Sequence, residues 1–173
     1  MNVVLVGYRG TGKSSVARLL GIELRRPVIS LDEEIVRRAD KGVPEIVAER
    51  GWEGFRDLEE EVCRAAAAGR HTIIDCGGGV VERENNFEVL RGAGMVFWLS
   101  ASPQTIVRRI EGDDQRPSLT GSKSFTDEVV EVLGRRIPLY RRMAHHEVST
   151  DDRSVEQVAD EILRRVSADS AHR

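Results

Sequence analysis

The chain predicts an α/β three-layer sandwich: a central five-stranded parallel sheet with helices on both faces. Three observations carry this. Short apolar, β-rich runs alternate with helical patterns along nearly all of the 173 residues. A glycine-rich loop joins the first run to the first helix. The chemically conspicuous segments fall just after predicted strands, at the carboxyl edge where such sheets place their ligands.

The first strand is the run Val3-Val4-Leu5-Val6, and Val16, Leu19, Leu20 and Leu24 give the first helix its apolar stripe. Pro27 to Leu31 is a second strand, with Asp32 placed to cap a helix over 33–38. Val43-Pro44-Glu45 opens a short helix ending near Gly51, and 53–68 reads as a longer one. Thr72-Ile73-Ile74 is the third strand, stopped by Gly77-Gly78-Gly79. Helix 84–91 leads to the fourth strand, Met95 to Leu99. Helix 103–111, a polar stretch from Gly112 to Ser124, and helix 126–142 follow. Glu147-Val148-Ser149 is a weak fifth strand. A closing helix carries Val155, Val158, Ile162 and Val166, with a frayed tail over 168–173. The pattern shows no repeat or linker, so one domain over residues 1–167 is expected.

The loop is Gly7-Tyr8-Arg9-Gly10-Thr11-Gly12-Lys13-Ser14, a complete GxxxxGK[ST] between strand and helix. Backbone N–H groups at Gly10, Thr11, Gly12 and the following residues converge on phosphates, Lys13 reaches the β/γ oxygens, and the Ser14 hydroxyl suits Mg²⁺. The helix N-terminus, which includes Ser15, adds its positive end to the same anion. ATP with Mg²⁺ is the expected ligand pair.

Composition narrows the partners. The net charge of −3 supplies no general attraction to nucleic acid or an anionic membrane. Lysine occurs only at Lys13, Lys41 and Lys123, an arginine bias that genome composition explains. Cys63 and Cys76 lack metal-ligand or CxxC spacing. With neither signal peptide nor apolar span, a soluble cytoplasmic monomer is expected.

Three further segments carry chemistry. Asp32 follows the second strand, where a carboxylate orients or deprotonates an attacking hydroxyl; the alternative is a helix cap and nothing more. Gly77-Gly78-Gly79 lets a substrate lie on bare backbone, or is a tight turn. The stretch around Arg116 has the polarity of a closing lid that brings a cation to the transferring phosphate, or is a passive loop.

Together these segments resemble the shikimate kinases over nearly the whole chain. The loop through Ser15 is similar to that family's GxxGxGKS/T, and Asp32 aligns with the second aspartate of its DxD. Phe55-Arg56-Asp57-Leu58-Glu59 resembles its FRxxE, Gly77 to Gly79 its GGG, Arg116-Pro117 its lid RP, and Arg136-Ile137-Pro138-Leu139-Tyr140 its RxPLY. Residues 51–59 are also similar to the kinase portion of the fungal arom multi-enzyme protein.

The resemblance implies a P-loop, nucleoside-monophosphate-kinase-like fold and ATP-dependent phosphorylation of the 3-hydroxyl of shikimate. Substrate-binding helices would span about residues 32–62 and a lid about 112–124. Arg56 and Arg136 would grip the carboxylate, Asp32 would activate the hydroxyl, and Gly77, Gly78 and Gly79 would face the ring. Phe55 would line the pocket, Lys13 and Arg116 would meet the γ-phosphoryl, and Arg109 would lie near adenine.

Two departures stand out: Ser30 occupies the DxD position that holds an aspartate, and Asp75 ends the third strand. Asp75 is expected either to take over Mg²⁺ work lost at Ser30 or to cap the glycine turn. A kinase for another hydroxy acid such as gluconate, and a non-catalytic ATP-binding module, remain open at this stage.

Overall fold

The computed structural model describes residues 1–111, 118–121 and 124–171. At its centre lies β1 (Asn2–Val6), buried along its whole length. It pairs with β3 (Ile73–Asp75) on one side and β4 (Gly94–Ser100) on the other; β2 (Val28–Ser30) and β5 (His146–Ser149) form the edges. The order β2-β3-β1-β4-β5 is parallel throughout, as predicted.

Alternation along β1 decides the two cores. Val3 and Leu5 face α1 (Lys13–Leu24) and α7 (Val155–Ala171), packing with Val16, Leu20, Val158 and Ile162. Val4 and Val6 face the opposite layer. This contains α2 (Leu31–Ala39), α3 (Val43–Ala67), α4 (Glu84–Ala93), α5 (Pro103–Ile110) and α6 (Phe125–Met143). Fully burying one such aliphatic side chain contributes about 1.5–3 kcal/mol. No helix among the described residues is long and apolar enough to cross a membrane.

Three local details refine the sequence reading. Gly51, at φ 67° and ψ 177°, breaks α3 into the two helices predicted there, in a conformation that suits glycine. The cap of α2 is Ser30 rather than Asp32: the helix starts at Leu31, and Ser30 Oγ accepts a hydrogen bond from the Glu33 amide at 3.3 Å. Asp32 therefore sits within the first turn. Lastly, α7 continues to Ala171 where fraying was expected from 168, since Ser167-Ala168-Asp169-Ser170 holds no glycine or proline to end it.

Register matters for the site. Asp75 lies opposite Leu5 on one side and Ser30 on the other, so the carboxyl ends of β1, β2 and β3 finish side by side.

Candidate active site

Immediately after β1, Gly10 and Gly12 take positive φ (81° and 88°), and Gly12 caps α1 in the left-handed conformation. The loop is braced from within. Thr11 Oγ1 donates to the Tyr8 carbonyl at 2.8 Å, and Lys13 Nζ donates to the same oxygen at 3.0 Å. Lys13 thus lies folded back over the loop, its ammonium held against the loop's own backbone.

Three cavities run in a row along this carboxyl edge. The middle one, about 310 Å³, is lined by the glycine loop with Lys13, Ser14, Ser15, Asp32, Asp75 and Gly77. It shares Gly10 and Gly12 with a second cavity of about 310 Å³ walled by Arg109, Thr150, Arg153 and Val158. It shares Arg9 and Gly78 with a third, bounded by Tyr8, Trp52, Arg56, Gly79, Leu119, Glu128 and Arg136. This last is closed down to about 20 Å³, room for roughly one water.

In the middle cavity, Ser14 Oγ donates to Asp75 Oδ2 at 2.6 Å. Asp75 is 5% exposed, and burial pushes its carboxyl above the usual range while Lys13 and the Ser14 hydroxyl pull it back. In the second cavity, Arg109 is pinned by bonds to the Gly10 carbonyl and to Thr150 Oγ1, each at 3.1 Å.

The third cavity holds two buried guanidinium groups, each tied to a glutamate. Arg56 Nη1 bonds Glu59 Oε1 at 2.8 Å, and its guanidinium lies 5.3 Å from the Trp52 ring centre and 5.4 Å from that of Phe55. Arg136 Nε bonds Glu82 Oε1 at 2.7 Å, and Arg135 shares that oxygen. Burial raises Glu59, whose Oε2 has no hydrogen-bond partner among the described residues. Burial also acts to raise Glu82, but the bonds from Arg135 and Arg136 outweigh it and hold the carboxyl low.

The three glycines are explained by these neighbours more than by their own dihedrals, none of which has positive φ. A Cβ on Gly77 would stand 2.7 Å from Asp32 Oδ1 and 2.9 Å from Glu59 Oε2, and one on Gly79 would overlap the Arg56 guanidinium. Gly78 lends its carbonyl to the Tyr140 hydroxyl at 2.6 Å. The turn reading also holds, since Val80 N bonds Gly77 O at 3.1 Å.

The family model for shikimate kinase matches residues 9–167. The chain is 40% identical over 168 residues to a shikimate kinase of Symbiobacterium thermophilum, covering 96% of each, and 38% identical over 175 residues to one of Syntrophus aciditrophicus, covering 95% of this chain and 90% of that one. Among solved structures, a shikimate kinase of Acinetobacter baumannii in complex with shikimate superposes with a TM-score of 0.92 at 30% identity, over 97% of this chain and 93% of that one. The chain belongs to the shikimate kinase family.

Membership makes it an ATP-using kinase and decides against a non-catalytic module. It also agrees with the five-stranded parallel fold. Of the residues expected from sequence, Gly10, Gly12, Lys13, Ser14, Ser15, Asp32, Asp75, Gly77 and Gly78 meet in the middle cavity, and Arg56, Gly78, Gly79 and Arg136 in the third. Thr11 and Arg109 line the second cavity. Arg116 lies outside the described residues. Phe55, expected to line the pocket, is fully buried, edge-on to Trp52 with ring centres 5.5 Å apart and with the Arg56 guanidinium over its ring.

Sequence reasoning missed Glu59, Glu82 and Glu128 as working parts. Glu59 stood inside a quoted motif, but nothing in the pattern marked it as the partner of Arg56. Glu82 and Glu128 gave no local signal at all. Glu128 accepts hydrogen bonds from the Ser118 hydroxyl, the Leu119 amide at 3.1 Å and both the amide and hydroxyl of Thr120 at 3.3 and 3.0 Å. It thereby ties down residues 118–120, and Trp52 Nε1 donates to Ser118 O at 3.2 Å.

Proposed function

We infer that the chain transfers the γ-phosphoryl group of ATP to the 3-hydroxyl of shikimate, giving shikimate 3-phosphate and ADP. The observation that carries this is the row of cavities: a nucleoside side, a phosphate cleft with Lys13 and Asp32, and a pocket with two buried arginines, adjoining through Arg9 and Gly78. The relatives named above are shikimate kinases, and the Acinetobacter baumannii structure holds shikimate.

Arg56 and Arg136 bind the substrate carboxylate. Their glutamates keep both guanidinium planes in place, so little side-chain freedom is lost on binding. The bound ring then offers its hydroxyl across Gly78 to Asp32, which orients it and accepts its proton as the oxygen attacks phosphorus and the bond to ADP breaks. Lys13 follows the charge on the γ-phosphoryl, joined from the lid by Arg116. Leu119 and Trp52 close over the ring and keep water from competing as acceptor.

The Ser14–Asp75 pair fits Mg²⁺. A hydroxyl and a carboxylate 2.6 Å apart are hard oxygen donors, and a cation there relieves the cost of burying Asp75. When bound, Mg²⁺ neutralises charge on the β- and γ-phosphate oxygens. Ser14 would ligate it and Asp75 would orient Ser14 from behind, a carboxylate placed one strand over from Ser30. We place the enzyme in the cytoplasm as a monomer that does not bind nucleic acid, in keeping with two buried free thiols and a net charge of −3.

The test is ADP release with ATP and Mg²⁺, run with shikimate, with gluconate and with no acceptor. ADP production that depends on shikimate is expected; equal rates in all three, or turnover with gluconate alone, would overturn the reading.

A further inference from the structure

Tyr8 and Arg9 fill the first two variable positions of the phosphate loop, where GxxxxGK[ST] sets no residue type. Both side chains turn to the acceptor side and line the third cavity. Tyr8 is 1% exposed, and its ring seats the Arg136 guanidinium, 5.6 Å from the ring centre. Its hydroxyl nevertheless meets no hydrogen-bond partner among the described residues, and Arg9 Nη1 is buried in the same condition. The Arg9 side chain lies beside the phenol and acts on it electrostatically, while its guanidinium rests 5.8 Å from the Phe125 ring centre.

Elsewhere around this cavity each of these side chains makes at least one hydrogen bond: Arg56 with Glu59, Arg136 with Glu82, the Tyr140 hydroxyl with Gly78, and Glu128 with residues 118–120. Leaving buried polar atoms unpaired is costly, and native proteins retain few of them. Two side by side on one ligand pocket, in a family whose ligand carries a carboxylate, mark donors waiting for an acceptor. The guanidinium is always charged, and burial pushes the Tyr8 phenol up, so both groups keep their protons at neutral pH.

We propose that Tyr8 Oη and Arg9 Nη1 donate hydrogen bonds to the carboxylate of the acceptor substrate, beside Arg56 and Arg136. The loop that holds phosphate through its backbone would then read the acceptor through two of its side chains. This rests on the third cavity being the shikimate pocket, as proposed above.

Tyr8→Phe removes the hydroxyl and keeps the ring under Arg136. Steady-state kinetics should show the KM for shikimate rising about tenfold, the value of one hydrogen bond to a charged group, with the KM for ATP within about twofold of wild type. Thermal unfolding of the ligand-free variant should occur at the same temperature or about 1–3 °C higher, because an unpaired buried hydroxyl has gone. Arg9→Met should show the same shikimate-specific rise. Either variant keeping the wild-type shikimate KM overturns the proposal, as does a Tyr8→Phe protein that melts lower with unchanged KM, the mark of a hydroxyl satisfied by internal water. A wild-type enzyme that fails to phosphorylate shikimate would instead overturn the functional reading beneath it.

Discussion

The cleft proposed for phosphate and the pocket proposed for the acceptor adjoin, yet they are built in opposite ways. The cleft is largely one stretch of backbone, Gly7 to Ser15, shaped by glycine dihedrals and delivered by β1. The pocket is assembled from side chains of the loop, α3, the glycine turn after β3, and α6, separated by up to 128 positions. Arg56 and Arg136 hold their positions because each is paired with a carboxylate in a buried setting. A backbone site tolerates varied side chains at its free positions. A side-chain site depends on every partner, since an uncompensated buried charge is expensive.

That contrast sets the order of expected effects. The largest falls where the two regions meet: Asp32→Asn should reduce kcat by about 10²–10⁴-fold with little change in either KM, measured by coupled ADP release. Loss confined to KM would mean that Asp32 binds and does not take the proton. Next is Gly79→Ala. The added methyl overlaps the Arg56 guanidinium, so the KM for shikimate should rise at least about tenfold. The melting temperature should fall as Glu59 loses its partner, while ATP binding stays normal. An unaltered shikimate KM would show that Arg56 is not needed in its observed place.

On the cleft side, Asp75→Asn should weaken metal binding by about tenfold, read directly from Mn²⁺ paramagnetic resonance with bound ADP. Unchanged Mn²⁺ affinity would show that the hold of Asp75 on Ser14 does not serve the metal. The smallest effect concerns Glu82, whose carboxyl is held below its ordinary value of 4.5. A lowered folded-state value means the stabilisation is present above pH 4.5 and fades as pH falls through the folded value. Glu82→Gln should therefore flatten acid unfolding below that pH and raise the shikimate KM a few-fold. An acid limb identical to wild type would contradict the pairing with Arg136.

The same contrast explains what could be read from sequence. The loop, the buried runs of β1 and β4, and the break at Gly51 were legible because each is a local property of consecutive residues. Arg56 and Arg136 were legible only through resemblance, since an isolated arginine says nothing about its partners. Glu59, Glu82 and Glu128 were invisible because their roles depend on which elements the fold brings together. The cap of α2 was misplaced by two residues because Ser30 and Asp32 both suit an N-cap, and only the helix start decides between them. Asp75 was conspicuous as a strand-end carboxylate, but its bond to Ser14 depends on β1 and β3 lying side by side.

The division of labour between the two regions is tested most directly by a crystal structure with shikimate and Mg²⁺·ADP bound. The account predicts the carboxylate between Arg56 and Arg136, within hydrogen-bond reach of both, and the 3-hydroxyl turned across Gly78 to Asp32. A shikimate carboxylate resting on the phosphate loop, or one contacting neither arginine, would contradict it.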